Sequence, residues 1–521
     1  MTPSAATVHY RDIFQKRTPE QLRTLAHIKR FMERLVSDRD FRAALSENLD
    51  TPTVVTTRYG IEVDPLQMLP LYRASYLKFR FDPTCTQWPL ATIWDDYMAQ
   101  MLRHRDLLRE EGNMAQVHPS FHLWRERQIH RCASELGGSA SSVTHPVIAF
   151  ELSEGCTVGC WFCGLSADRF QGHYPYSDDN ATMWRGVVAE ASDLLGPAVR
   201  TGFCYWATDP CDNPDYDKFL LDYYEITGAL PQTTTAAPLK NVALTRRVLA
   251  LFDKYRTVTN RFSVLTPSHL NQIHAAFSAE ELLGVELVMQ NKDALSAKAD
   301  AGRARQRKEK LRAANKDEKI ALVERDHTTI ACVSGFLVNM MRGRIQLVTP
   351  VPGSARWPLG YRIIGEQFFE SPQQFRECME SLINLHMPVN LPPDGVVSFR
   401  RDLTYEAGHG SFTLRSRSTV HTVHDDLGGV SLGDRISSAN ATASQLVAWA
   451  LESGADLLAV VGYLDNLFAA GILEDDPDLT DQAGATSGQS ATSRIPIYPL
   501  ADMHSALQGD QPGLTSQKQP I

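Results

Sequence analysis

Apolar residues recur at three- and four-residue intervals through LRTLAHIKRFMERLV and again through ATIWDDYMAQMLRHRDLL. That spacing lines one face of a helix, so residues 1–140 are expected to form a helical N-terminal domain. After the break LGGSASS the rhythm changes, and short apolar runs at Val147–Leu152, Thr201–Trp206, Arg261–Leu265 and Val285–Met289 alternate with longer amphipathic stretches. Strand followed by helix, repeated, predicts a parallel α/β sheet or barrel over residues 141–390. Within it, TTIACVSGFLVNMMRGRIQLVTP reads as two strands about Arg342 and Gly343, and Gln373–Leu385 as a helix.

Past LPPDG the pattern VVSFRRDLTYEAGHGSFTLRSRSTVHTV reads as strand, turn at Gly408–Gly410 and strand, followed by helices at Ala443–Glu452 and Leu457–Ala470. Residues 391–475 are therefore expected to form a small α+β module. The tail, residues 476–521, is rich in Asp, Ser, Gly, Gln and Pro, has too little apolar surface to offset ordering entropy, and is expected to be mobile. The basic run from Ala299 to Lys319 fits a solvated helix as well as a substrate contact.

Hydrophobic residues at 43% and charged residues at 22% match ordinary soluble proteins and favour neither disorder nor a membrane class. The excess of 61 acidic over 52 basic side chains, −9 in all, argues against general nucleic-acid affinity. The N-terminal residues contain no apolar signal core, and the most apolar late stretch, Ala455 to Leu473, is broken by Asp456 and Asp465, so no membrane partner and a cytoplasmic location are expected. Nine scattered cysteines without a signal peptide do not suggest a disulfide framework.

Three of the nine are bunched, in FELSEGCTVGCWFCG, directly after a predicted strand. Cys156, Cys160 and Cys163 supply three thiolates, which fit three irons of a [4Fe–4S] cubane and leave the fourth iron open to a further ligand. Zinc usually takes four ligands; no fourth Cys or His lies at finger-like spacing, and His173 is the distant candidate. CxxxCxxC with Phe162 before its last cysteine resembles the signature of the radical S-adenosylmethionine (SAM) superfamily. Likewise ATDP followed by NPD resembles the GGEP segment that holds the SAM amino group, with Thr208 and Asp209 at the acceptor positions and Asp where Glu is usual. An Asp-Pro turn at a strand end would read the same way.

The strings GCTVGCWFCGLSA, GFCYWATDPCDNPDY, LPQTTTAAPLK, NRFSVLT and ELVMQNK together resemble the radical SAM peptide epimerases of the polytheonamide or proteusin type, over about His145 to Tyr361. The resemblance implies a partial (β/α)6 barrel, bound SAM and [4Fe–4S] cluster, an external electron donor, and a ribosomally made precursor peptide with a leader as substrate. It further implies that a 5′-deoxyadenosyl radical abstracts a Cα hydrogen and that a thiol on the opposite face returns one, turning an L- into a D-residue. Cys332 is the favoured hydrogen donor; Cys204, Cys211, Cys378, Cys85 and Cys132 are the other non-cluster thiols. Gln290 and Asn291, after a predicted strand, and Gln232 with Thr233–Thr235 are polar candidates for lining the cofactor or peptide cavity. The C-terminal module resembles winged-helix peptide-recognition elements, in which a leader adds a strand to a sheet. Arg39 to Pro65 looks like a nitrile-hydratase-type leader, although ordinary helix-then-turn structure accounts for it better. Other radical SAM peptide chemistry, C-methylation or cross-linking, and a non-enzymatic metal-containing peptide-binding partner are the alternative functions.

Overall fold

A computed structural model describes residues 3–82, 86–112, 117–137, 140, 146–291, 299–316 and 328–475. The tail expected from 476 onward and Cys85 lie outside the described residues. The described chain is mixed α/β and forms two compact units, one from residues 3–7, 107–260 and 299–475, the other from 8–106 and 261–291.

In the first unit the strand Ile148–Glu151 runs parallel to Gly335–Asn339, with Ile148 opposite Phe336 and Glu151 opposite Asn339. On its other side Ala149 bridges Phe203, and Phe203 bridges Gln232, both in parallel. Beyond Gly335–Asn339 the sheet turns antiparallel through Arg344–Pro350 and Tyr361–Phe368. Both faces of the central strands are covered, which is why they read as continuous apolar runs rather than alternating ones. Ile148, Phe150, Phe336 and Val338 pack against helices Asp178–Leu195, Tyr216–Thr227 and Pro372–His386 through Trp184, Phe219, Tyr223 and Phe375. Ala149, Phe203 and Leu337 face a second cluster with Leu165, Ile330 and Val333. Among the described residues no sheet closes into a barrel.

Two strand expectations are corrected here. Thr201–Trp206 is not a strand: a 3₁₀ turn occupies Gly196–Thr201 and, among the described residues, Phe203 alone of this run forms β-bridges. At Gly202, whose backbone is extended, a Cβ would come within 2.6 Å of the Tyr223 hydroxyl; the chain then enters the Asp209–Pro210 turn. Likewise residues 328–334 are not part of a strand, which begins only at Gly335, where a side chain would meet the Val147 carbonyl oxygen at 2.0 Å. The hairpin about Gly343 forms as expected, with Gly343 at φ +56°.

The C-terminal module is a three-stranded antiparallel meander, Thr404–Ala407, Ser411–Arg415 and Val420–His424, followed by helices Gly433–Ser437, Ala443–Glu452 and Leu457–Ala469. Phe412 and Leu414 of the middle strand point into a core of Leu446, Val460, Leu464 and Leu467. Thr442 and Gln445 form a capping box at the second helix. The VVSF run contributes only the bridges Val396–Thr442 and Phe399–Leu473.

The second unit is mainly helical, with Pro19–Ser37 and Pro89–Glu111 sharing a core of Phe31, Phe41, Trp94 and Tyr97. The leader-like stretch forms helices Arg39–Glu47 and Thr53–Arg58 and a turn. Strands Asn260–Val264 and Val285–Met289 lie side by side. A buried ionic group ties Pro19–Ser37 to helix Pro267–Ala276: Glu33 takes bonds from Lys29 and from His274 Nε2, the latter at 3.1 Å. Burial alone would raise the Glu33 pKa, but Lys29 and His274 hold it below the ordinary carboxylate value.

Candidate functional site

The cysteine loop leaves the strand Ile148–Glu151 and is clipped shut at its base. Ser153–Glu154 pairs antiparallel with Gly172–His173, and Cys156 donates its N–H to the Asp168 carbonyl at 3.0 Å. The chain can turn there because residue 155 is glycine, at φ +71°, where a Cβ would lie 2.2 Å from the Arg169 carbonyl oxygen. Buried Asp212 fixes the loop from the far side, accepting from the Thr157 amide at 2.9 Å, the Thr157 hydroxyl at 2.6 Å and Lys240.

Cys156, Cys160, Cys163, Phe162, Thr208 and Asp209 all line one cavity, with Tyr205, Trp206, Ala236 and Arg303. Six of the eight site residues expected from sequence are thus gathered in one place. Burial pushes the Cys160 thiol up to about 12, with the neighbouring Cys163 and Asp209 adding to it, and raises Cys156 further for the same first reason. Such thiols become thiolates only beside a cation. The amides of Val158 and Ala167 aim at Cys156 Sγ and Cys163 Sγ, each at 3.4 Å, the kind of donor that stabilises cluster-bound sulfur. Among the described residues no three His, Cys, Asp or Glu side chains converge on a single-ion site. Cubane thiolates go to different irons and need not converge.

The Thr208–Asp209 turn forms the opposite wall. Asp209 Oδ1 accepts from the Thr235 hydroxyl at 2.6 Å and the Cys211 amide at 2.9 Å, and Oδ2 from the Ala236 amide at 2.7 Å. Burial raises its pKa to about 6 in spite of these bonds. Thr208 Oγ1 is buried without a hydrogen-bond partner. A buried polar atom normally has one, so the cavity wall presents an unmet acceptor-donor group where a polar ligand would lie. The residues present fit a [4Fe–4S] cluster on the loop and a ligand amino group at the turn.

Other expected residues are elsewhere. Gln290 follows strand Val285–Met289 in the second unit, donating its amide to the Val264 carbonyl at 2.8 Å, and is not among the residues that line the cavity. Asn291 Nδ2 bonds the Ser37 carbonyl. His173 lies in the clip, not in the cavity lining. Cys332 was expected at a strand end; it lies instead in the irregular chain ahead of the strand, buried in the apolar cluster that also holds Tyr205 and Trp206. Cys132 shares that cluster with its sulfur on the Pro350 carbonyl, Cys204 is in the core on the helix side, Cys378 bonds the Phe368 carbonyl, and Cys211 accepts from Thr235. Thr234 and Gln232 bond the Tyr205 hydroxyl, at 2.8 and 2.6 Å, and so shape the lining indirectly. Sequence reasoning missed Arg303, whose only signal was its place in the basic run.

A family model for the protein y4wI C-terminal domain matches residues 397–471, the span of the meander and its helices. The chain is 63% identical over 470 residues to "Uncharacterized protein y4wI" of Sinorhizobium fredii (strain NBRC 101917 / NGR234), covering 90% of this chain and 91% of that protein. No solved structure matches. No helix among the described residues is long and apolar enough to cross a membrane.

Proposed function

We propose that this chain, which belongs to the y4wI protein family, is a radical SAM enzyme acting on a ribosomally made peptide, and that it epimerises L-residues to D-residues. The carrying observation is that three thiols following the first strand of a parallel run share one cavity with the unpartnered Thr208 hydroxyl. The parallel order Gly335–Asn339, Ile148–Glu151, Phe203, Gln232 supports reading this unit as part of a radical SAM barrel. An oxygen-sensitive centre and cysteines that form no disulfide among the described residues suit a reducing, cytoplasmic setting.

Cys156, Cys160 and Cys163 would hold the cluster, which when bound to SAM supplies an electron for a radical that abstracts hydrogen. The chain's own part is to bind and orient. Thr208 and Asp209 receive the SAM amino group, Phe162 and Trp206 exclude water, and the Val158 and Ala167 amides steady the sulfurs. Cys332 is the proposed hydrogen donor; its S–H bond breaks to return a hydrogen atom to the substrate carbon, and the resulting thiyl is reduced by one electron and one proton from the external donor. The C-terminal module, whose outer strand Val420–His424 has no strand on its other edge among the described residues, is proposed to hold the leader by strand addition.

Anaerobic reconstitution followed by incubation with SAM, reductant and a precursor peptide in deuterated water tests the reading. Epimerisation gives iron–sulfur absorbance, 5′-deoxyadenosine and one deuterium per inverted residue. Methylation would instead add a carbon unit. Zinc without iron–sulfur absorbance would reject the proposal.

A further inference from the structure

An ion pair beside the cysteine loop has no chemical role in the reading above. Asp212 closes the short turn Pro210–Asp212, which starts on Asp209, and its amide donates to the Asp209 carbonyl at 2.9 Å. Its carboxylate bonds the loop: Oδ2 accepts from the Thr157 amide at 2.9 Å and Oδ1 from the Thr157 hydroxyl at 2.6 Å. Thr157 directly follows Cys156. Lys240 Nζ completes the group, donating to Asp212 Oδ1 at 2.5 Å and to the Thr157 hydroxyl oxygen at 3.3 Å. Lys240 belongs to the segment that begins with Ala236, whose amide bonds Asp209, and it lies 5.7 Å over the ring of Phe170 on the returning arm of the loop.

Shape alone does not call for charges here. A neutral side-chain carbonyl could accept from Thr157, and the loop is already clipped at its base by Ser153–Glu154 against Gly172–His173. Burying a carboxylate is costly unless it is paired, so a buried pair kept at this position asks for a use. The two charges are also unequally screened. The Asp212 side chain has no exposed surface, whereas that of Lys240 is 42% exposed. Water therefore damps the cation, while the anion acts at short range in a low dielectric. The field that the pair leaves at the cysteine loop is negative.

We propose that Asp212 and Lys240 are positioning residues that set the reduction potential of the cluster on Cys156, Cys160 and Cys163, Asp212 lowering it and Lys240 raising it. The proposal rests on the radical SAM reading and names the side chains that fix how strong a reductant the cluster becomes. In its reduction the external donor loses one electron and the cluster gains it; no bond breaks and no proton moves. The cluster thereby becomes more negative by one charge. A buried anion bonded to the residue beside a ligand opposes that change, and a cation favours it. Asp212 shares its turn with Asp209, so the wall that receives the ligand amino group and the charge that tunes the cluster are fixed to one another.

The test uses the full chain, reconstituted anaerobically, in a potentiometric titration followed by visible absorbance and electron paramagnetic resonance. Asp212→Asn should shift the midpoint potential upward, and Lys240→Gln should shift it downward by a smaller amount because that charge is the better screened. The double variant should fall between the two, and Lys240→Arg, which keeps the charge, should retain the wild-type potential. A merely structural role gives a different pattern: loosening the loop admits water to the cluster in either variant and moves both potentials the same way. Shifts of one sign, or equal potentials in wild type and both single variants, overturn the proposal. Should Asp212→Asn incorporate no cluster, the half-exposed Lys240 decides alone, and Lys240→Gln at or above the wild-type potential overturns it. Failure of the underlying reading is distinct: the wild-type chain itself would then show no iron–sulfur absorbance, and reading and proposal would fall together.

Discussion

Replacing Thr208 by Val keeps a β-branched side chain and removes one hydroxyl from the cavity wall. Thr208 is 7% exposed and its Oγ1 has no hydrogen-bond partner. Burying a hydroxyl without a partner costs about 1–3 kcal/mol. Without SAM, Thr208→Val should therefore be more stable than the wild type by about 1 kcal/mol, a rise on the order of 2 °C in melting midpoint. With SAM the sign should reverse. A hydrogen bond to the charged amino group contributes about 1.5–3 kcal/mol, so its loss should weaken SAM binding by roughly ten- to a hundredfold. Because a ligand stabilises by RT ln(1 + [L]/Kd), melting curves of the two proteins against SAM concentration should cross. Differential scanning fluorimetry and equilibrium dialysis suffice. Destabilisation of the variant in the absence of SAM would mean that the hydroxyl already has a partner, and unchanged affinity would mean that SAM does not meet this wall; either refutes the reasoning.

Gly302→Ala should destabilise by on the order of 3 kcal/mol, from a left-handed backbone plus a Cβ against the Gly164 carbonyl, and should impair cluster incorporation. Gly159→Ala, at φ +63° but with nothing within 4 Å, should cost only about 1 kcal/mol; urea denaturation separates the two. Burial lowers the His274 pKa from 6.5 to about 4, against the opposing pull of Glu33. The unfolded chain then binds more protons between those values, so stability should fall as pH drops from 6.5 towards 4, by about 2–3 kcal/mol in all. In denaturation at several pH values, His274→Gln should flatten that segment; an unaltered slope would place the titration elsewhere. Cys332→Ala should still produce 5′-deoxyadenosine but no D-residues by chiral amino-acid analysis, and normal inversion would move the donor role to Cys132 or Cys211.

Local pattern was enough for the cysteine loop, the hairpin about Gly343 and the β-then-α module, because each is specified by residues close in the chain. Cys156, Cys160 and Cys163 share one short glycine-bearing turn, Gly343 takes a positive φ, and Phe412 and Leu414 alternate inward on a single strand. What tertiary packing decided lies where close approach overrides propensity. Thr201–Trp206 is rich in strand-forming residues, yet it packs with Gly202 against the Tyr223 hydroxyl, and among the described residues its β-bridges are the two made by Phe203. Nothing in the order of residues sets Asp209 on Thr235, brings Arg303 to the Cys163 carbonyl, or buries Cys332 with Tyr205 and Trp206. The strand Tyr361–Phe368 was also silent in the sequence, its half-buried pattern being neither alternating nor continuous. Local chemistry thus picked out the candidate ligands, and long-range contacts between segments distant in the chain determined which side chains surround them.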